Sequence, residues 1–174
     1  MRKIILLALI ISTIALFFTS CNGALDPDDL DFNKSYSFDV RLNYNGASSV
    51  ANFTRTASGA WTGTLTEPYA LQGVQVIFSP AEMTVSYSDF AVKYGGDSQP
   101  DFNITAFVML EALENAFGRN YSAIFGSKNG FEITGITDGD NYVLRLDANG
   151  LPTSLEIPNQ QLKAEFTGVQ ASRF

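Results

Sequence analysis

Histidine is missing altogether, and cysteine occurs once, at Cys21. Without histidine the chain lacks the commonest general base and the commonest metal ligand. With one cysteine it can form no internal disulfide. Zinc sites of the Cys/His kind and Cys/His or Ser/His nucleophile pairs are therefore excluded. Basic residues are scarce too, 11 against 18 acidic ones. Binding to nucleic acid needs a basic surface that displaces counterions, and this composition argues against one. No nucleophile elbow is recognisable, so the reading is of a protein that is not an enzyme and needs no cofactor or metal.

What is present begins with a targeting signal. Arg2 and Lys3 form a short positive start, and residues 4–18 follow without a charge. Phe18-Thr19-Ser20-Cys21 then closes the segment. A positive n-region, an apolar h-region and small residues at a cleavage point describe a secretory signal peptide. The apolar run is shorter than the roughly 20 residues of a spanning helix. A cysteine at the cleavage point makes it similar to the lipobox of bacterial lipoproteins, with Phe18 where that family prefers leucine. The expectation is cleavage before Cys21, lipidation of Cys21, and export to the extracytoplasmic side of a cell membrane or outer membrane. The signal holds two of the basic residues and no acidic one, so the remainder carries a formal charge of −9. Such a chain does not adhere to anionic lipid by charge, and its anchor must rest on acyl chains.

Residues 22–33 carry Asp26, Asp28, Asp29 and Asp31 around Pro27. Like charges at this density repel and extend a chain, so residues 21–34 read as the lipidated cysteine and an acidic tether. The glycine turn and distal glutamate of a calcium loop are absent.

Residues 35–174 read as one domain. Tyr36, Phe38, Val40, Leu42 and Tyr44 alternate with polar residues, the period of a half-buried strand. Asn45-Gly46 is a strong hairpin signal. Strands follow over residues 50–57, 60–66, 74–78 and 83–87, with a short one at 90–94. Short connections make neighbours antiparallel. Residues 95–100 break the pattern. A helix is expected over residues 101–117, capped by Asp101 or Asn103 and ended by Gly118, and apolar on most sides. Within it Glu111 and Glu114 are expected to mark the solvent edge. Strands resume at 131–137, 142–147, 153–157 and 162–167, with an edge at 169–174. Asp138 and Asp140 flank a glycine in a turn, where aspartate suits the backbone. Asn33, Asn52, Asn103 and Asn120 sit in glycosylation-type triplets that a bacterial lipoprotein has no reason to use. The fold class is mainly β: a curved antiparallel sheet, a half-barrel, wrapped around one buried helix.

One stretch carries a family likeness. Gly59, Trp61, Gly63, Leu65, Thr66, Glu67, Pro68, Leu71, Gly73, Val74 and Phe78 come first, then the helix. Asp147, Asn149, Gly150 and Pro152 follow in a later strand pair. In this order the chain resembles the lipoprotein-carrier superfamily from about Tyr36 to Phe166. That superfamily includes outer-membrane lipoprotein carriers, mycobacterial lipid-binding lipoproteins and periplasmic sensor domains. The resemblance implies a concave apolar cavity that takes acyl chains. Its lining would be drawn from Tyr36, Phe38, Val40, Leu42, Trp61, Leu65, Val76, Phe78, Phe107 and Leu110. The carriers also use a cavity arginine, and Arg41, Arg55 and Arg145 all lie in strands here. The expected function is a membrane-anchored lipoprotein that binds a hydrophobic ligand, a lipid or acyl chain, between sheet and helix. The alternative is an envelope sensor or interaction module with a solid core and a protein partner.

Overall fold

The strict alternation after residue 35 sets the frame of the molecule, because it gives a ten-residue strand one apolar and one wet face. In the computed structural model, residues 26–56, 58–79, 82–95 and 105–172 are described. Strand β1 (Ser35–Tyr44) buries Tyr36, Phe38, Val40 and Leu42. Asn45 and Gly46 both take positive φ, the tight turn that matches strand twist, and lead into β2 (Ala47–Arg55). The meander continues through β3 (Trp61–Glu67), β4 (Gln75–Ser79), β5 (Glu82–Tyr87) and β6 (Phe90–Gly95). Helix α1 (Thr105–Phe117) then leads to β7 (Ala123–Ser127), β8 (Gly130–Thr137), β9 (Asp140–Asp147), β10 (Pro152–Ile157) and β11 (Leu162–Ser172).

Among the described residues, eleven strands form one antiparallel sheet that is not closed, in the order β6-β5-β4-β3-β2-β1-β11-β10-β9-β8-β7. The first and last strands pair at its centre, from Ser35 opposite Ser172 to Tyr44 opposite Leu162. The curved sheet wraps around α1, whose Met109, Leu110, Ala112, Leu113 and Ala116 are fully buried. Glycine makes room for aromatic rings at two inward positions. A Cβ on Gly63 would run into the Phe53 ring from β2, and one on Gly135 into the Tyr142 ring from β9.

Four expectations need revision. Residues 169–172 are not an edge. They continue β11 at the middle of the sheet, past a register shift opposite Ser37 and Asp39. Strand β7 carries no clear alternation and was not expected; pairing with β8 holds it in place. The acidic stretch is not all solvated spacer. Asp26 caps a short turn over Pro27–Asp29, and Leu30 and Phe32 are buried in the core. Phe32 stacks on Phe117 with ring centroids 5.3 Å apart, because the chain must cross the end of α1 to reach β1. Glu114 also departs from its expected place, as described below. Cys21, Asp101, Asn103 and Ile104 lie outside the described residues.

Candidate functional site

Register places the inward side chains of the first six strands in rows. Tyr36, Arg55, Trp61, Phe78, Met83 and Tyr94 stand side by side from β1 to β6. The next row is Phe38, Phe53, Gly63, Val76, Val85 and Val92. A third row ends in Tyr87 and Phe90. Toward β1 these rows are buried. Toward β6 burial fades: Val85 and Tyr94 are half-buried, Val92 is 51% exposed, Tyr87 55% and Phe90 79%. The cause is the position of α1, which packs chiefly on β8 and β9 and leaves the far corner uncovered among the described residues. Among the described residues, the face that is core over β1 to β4 is therefore left as apolar surface over β5 and β6.

The residues expected to line a cavity fall into two groups. Tyr36, Phe38, Val40, Leu42, Trp61, Val76, Phe78 and Leu110 are buried in one packed core, while Leu65 and Phe107 are half-buried against it. Ring contacts tie them together. Phe38 lies 5.5 Å from Trp61, and Phe107 meets Phe78 edge-on at 5.6 Å. Phe107 thus stands at the border between the filled core and the open corner.

A charged group sits inside the buried part. Arg55 follows Ala51 and Phe53 on the inward side of β2. Its Nε donates to Glu114 Oε1 at 2.6 Å and a terminal nitrogen to Oε2 at 3.0 Å. Its other terminal nitrogen donates to the Lys34 carbonyl at 3.1 Å and lies 3.4 Å from that of Phe32. Trp61 Nε1 donates to Glu114 Oε1 at 2.5 Å. The Arg55 guanidinium also lies 5.3 Å from the centroid of the Phe117 ring. Glu114 is therefore not at the solvent edge; its side chain is 16% exposed and that of Arg55 8%. Helical spacing explains this, since Glu114 falls four residues after Leu110 and three before Phe117, on the buried arc. The available signal was the inward parity of Arg55, a buried charge that demands a partner. Burial pushes the nearby Tyr36 hydroxyl up to about 12, with Arg55 acting against it.

Glu111, one turn earlier, is half-buried against β8. Burial raises its carboxyl pKa above the ordinary range, the Thr137 hydroxyl opposes that, and the Asp138 carboxylate adds to it. The folded state thus binds this proton more tightly than the unfolded chain does. The associated stability is complete below the ordinary carboxylate range and is lost as pH rises through the raised value. Glu111→Gln removes the penalty of the charged form. Urea unfolding at pH 7 should show a gain of about 0.5–1 kcal/mol, allowing for solvent screening of a half-exposed group. The gain should vanish as pH falls through the carboxylate range near about 4. Equal stability of variant and parent at pH 7 would contradict this account.

No family model matches the sequence, and no curated protein is similar to it. Solved structures are similar in fold. An uncharacterized conserved protein from Thermus thermophilus aligns at 10% identity and a TM-score of 0.50, over 82% of this chain and 81% of its own. A DUF1329 family protein from Desulfovibrio piger aligns at 11% identity and 0.43, over 82% and 86%. A LolA superfamily protein from Nitrosomonas europaea aligns at 9% identity and 0.35, over 81% and 86%. The chain thus shares an open antiparallel sheet-and-helix fold with the Thermus thermophilus protein over most of both chains, and its structural neighbours include a LolA superfamily protein.

Proposed function

We propose that this chain is a membrane-anchored bacterial lipoprotein whose domain holds a hydrophobic ligand, a lipid or acyl chain, at the open corner of its concave face. The observation that carries the reading is the fading of burial along the inward rows, which leaves Tyr87, Phe90 and Val92 exposed on what is elsewhere the core. Exposed contiguous apolar surface on a soluble domain marks an interaction site. An acyl chain laid along this face would cover it and gain about 25 cal/mol for each Å² of apolar surface removed from water. The half-buried Leu65, Val85, Tyr94 and Phe107 would form the inner wall. The interior under α1 stays filled, so the ligand lies beside the helix rather than beneath it.

The test is a titration of the chain from Asn22 onward with a fluorescent single-chain fatty acid, with native mass spectrometry to detect a co-purifying lipid. Phe90→Asp and Val92→Asp alter exposed side chains, so stability should change by no more than about 0.5 kcal/mol. Probe affinity should fall at least about tenfold, equivalent to about 1.4 kcal/mol. Phe107→Ala should cost clearly less than the about 3–5 kcal/mol of a fully buried phenylalanine, because the ring is only half-buried. It should weaken the probe as well. No co-purified lipid and no probe binding would remove the ligand reading.

A second reading, a protein-interaction module, is favoured by the filled interior. Leu113, Met109 and Trp61 are fully buried. In that case the same corner would take the apolar surface of an envelope protein, and probe titration would fail.

A further inference from the structure

The outer face of the sheet is divided by charge. Over β8 to β11 it carries a cross-strand ladder: Arg145 bridges Glu132 at 3.2 Å and Glu156 at 3.0 Å, and Lys163 pairs with Glu165 at 2.9 Å. Over β2 to β5 the two middle register rows carry no charge. One register row there reads Asn52, Thr64, Gln75 and Ser86. The row beside it reads Thr54, Thr62, Ile77 and Thr84. Charge returns at the margins, at Asp39 opposite Asn52, at Lys93 opposite Thr84, and at Glu82 at the start of β5, 4.0 Å from Lys93. A groove of about 310 Å³ runs over this patch.

We propose that this groove binds a neutral glycan. A hydroxyl both donates and accepts, and a primary amide does the same through separate atoms, so the two rows match a ligand made of hydroxyls and acetamides. Asn52 bonds Asp39, whereas the side chains of Thr54, Thr62, Thr64 and Gln75 make no hydrogen bond to other described residues and are free to meet a ligand. Ile77, 49% exposed in the middle of its row, offers an apolar spot for the C–H face of a sugar ring. Other partners fit less well. Nucleic acid needs basic residues that the patch lacks. Protein interfaces are enriched in aromatic residues and arginine, of which the two rows hold none. Acyl chains need apolar area, which here is one side chain. The patch lies on the opposite face from the open corner, so this proposal does not depend on the proposed lipid site.

The experiment titrates the full lipidated chain, in micelles of a detergent without a sugar headgroup, with chitohexaose and with maltohexaose as neutral probes. Saturable calorimetric binding of at least one is expected. The Thr62→Val/Thr64→Val variant removes two hydroxyls while keeping shape and strand preference. It should weaken that binding about tenfold or more, and Glu132→Gln on the charged half should leave it unchanged. Failure of both probes at millimolar concentration overturns the proposal, as does unchanged affinity in the double-valine variant. Binding confined to an anionic polymer such as polygalacturonate overturns it too.

Discussion

Glu114→Ala should destabilise the domain by about 3–5 kcal/mol, the usual cost of leaving one member of a buried ion pair without its partner. The carboxylate is shared by Arg55 through two hydrogen bonds and by Trp61 Nε1. Truncation strands a guanidinium whose remaining contacts are backbone carbonyls at Lys34 and Phe32 and aromatic faces. It also leaves a buried indole N–H without an acceptor, a further cost of about 1–3 kcal/mol if no water reaches it. At about 2–4 °C per kcal/mol for a domain of this size, the melting temperature should drop by roughly 10 °C. Arg55→Met/Glu114→Leu removes both charges and fills similar volume. It should recover the part of the loss that comes from the stranded guanidinium, because a well-packed apolar pair avoids the desolvation of both ions, while the Trp61 N–H still lacks its acceptor. The comparison matters more than either number, since it separates the cost of a stranded charge from the worth of the pair. A loss below about 1 kcal/mol for Glu114→Ala would show that the pair is wetter than its geometry implies.

The same pair shows what local pattern conveys and what it cannot. Strand β1 was legible because all its information is local: apolar residues alternate without a break and Asn45-Gly46 ends the run. Strands β8 and β9 were legible for the same reason, with Asp138 and Gly139 turning between them. The central seam was not, because the pairing of β1 with β11 joins distant ends of the domain and no local pattern records it. Glu114 was misplaced because a glutamate on a helix is ordinarily solvated. The inward arginine on a distant strand, brought across 59 positions, together with the Trp61 N–H, makes its burial tolerable. The open corner was hidden for a third reason. Tyr87, Phe90 and Val92 belong to the core pattern by parity, yet among the described residues α1 packs chiefly on β8 and β9 and leaves them exposed.

Cys21→Ser should leave no species of mature mass in the membrane fraction. The motive is the sequence before it: a positive start, an uncharged run over residues 4–18 and a solitary cysteine where a signal peptidase would cut. One acyl chain gives marginal, reversible binding, and stable anchoring takes two signals, such as dual acylation. The described part contains no helix long and apolar enough to cross a membrane, and the formal charge after the signal is −9. Retention in the parent should therefore survive a high-salt wash that strips proteins held by charge. The variant has two allowed fates, and mass tells them apart. It either appears in the soluble fraction, or it stays in the membrane as a full-length precursor held by its uncleaved apolar run. A serine variant that remains membrane-bound at the mature mass would show that something other than lipid on residue 21 holds the domain in place.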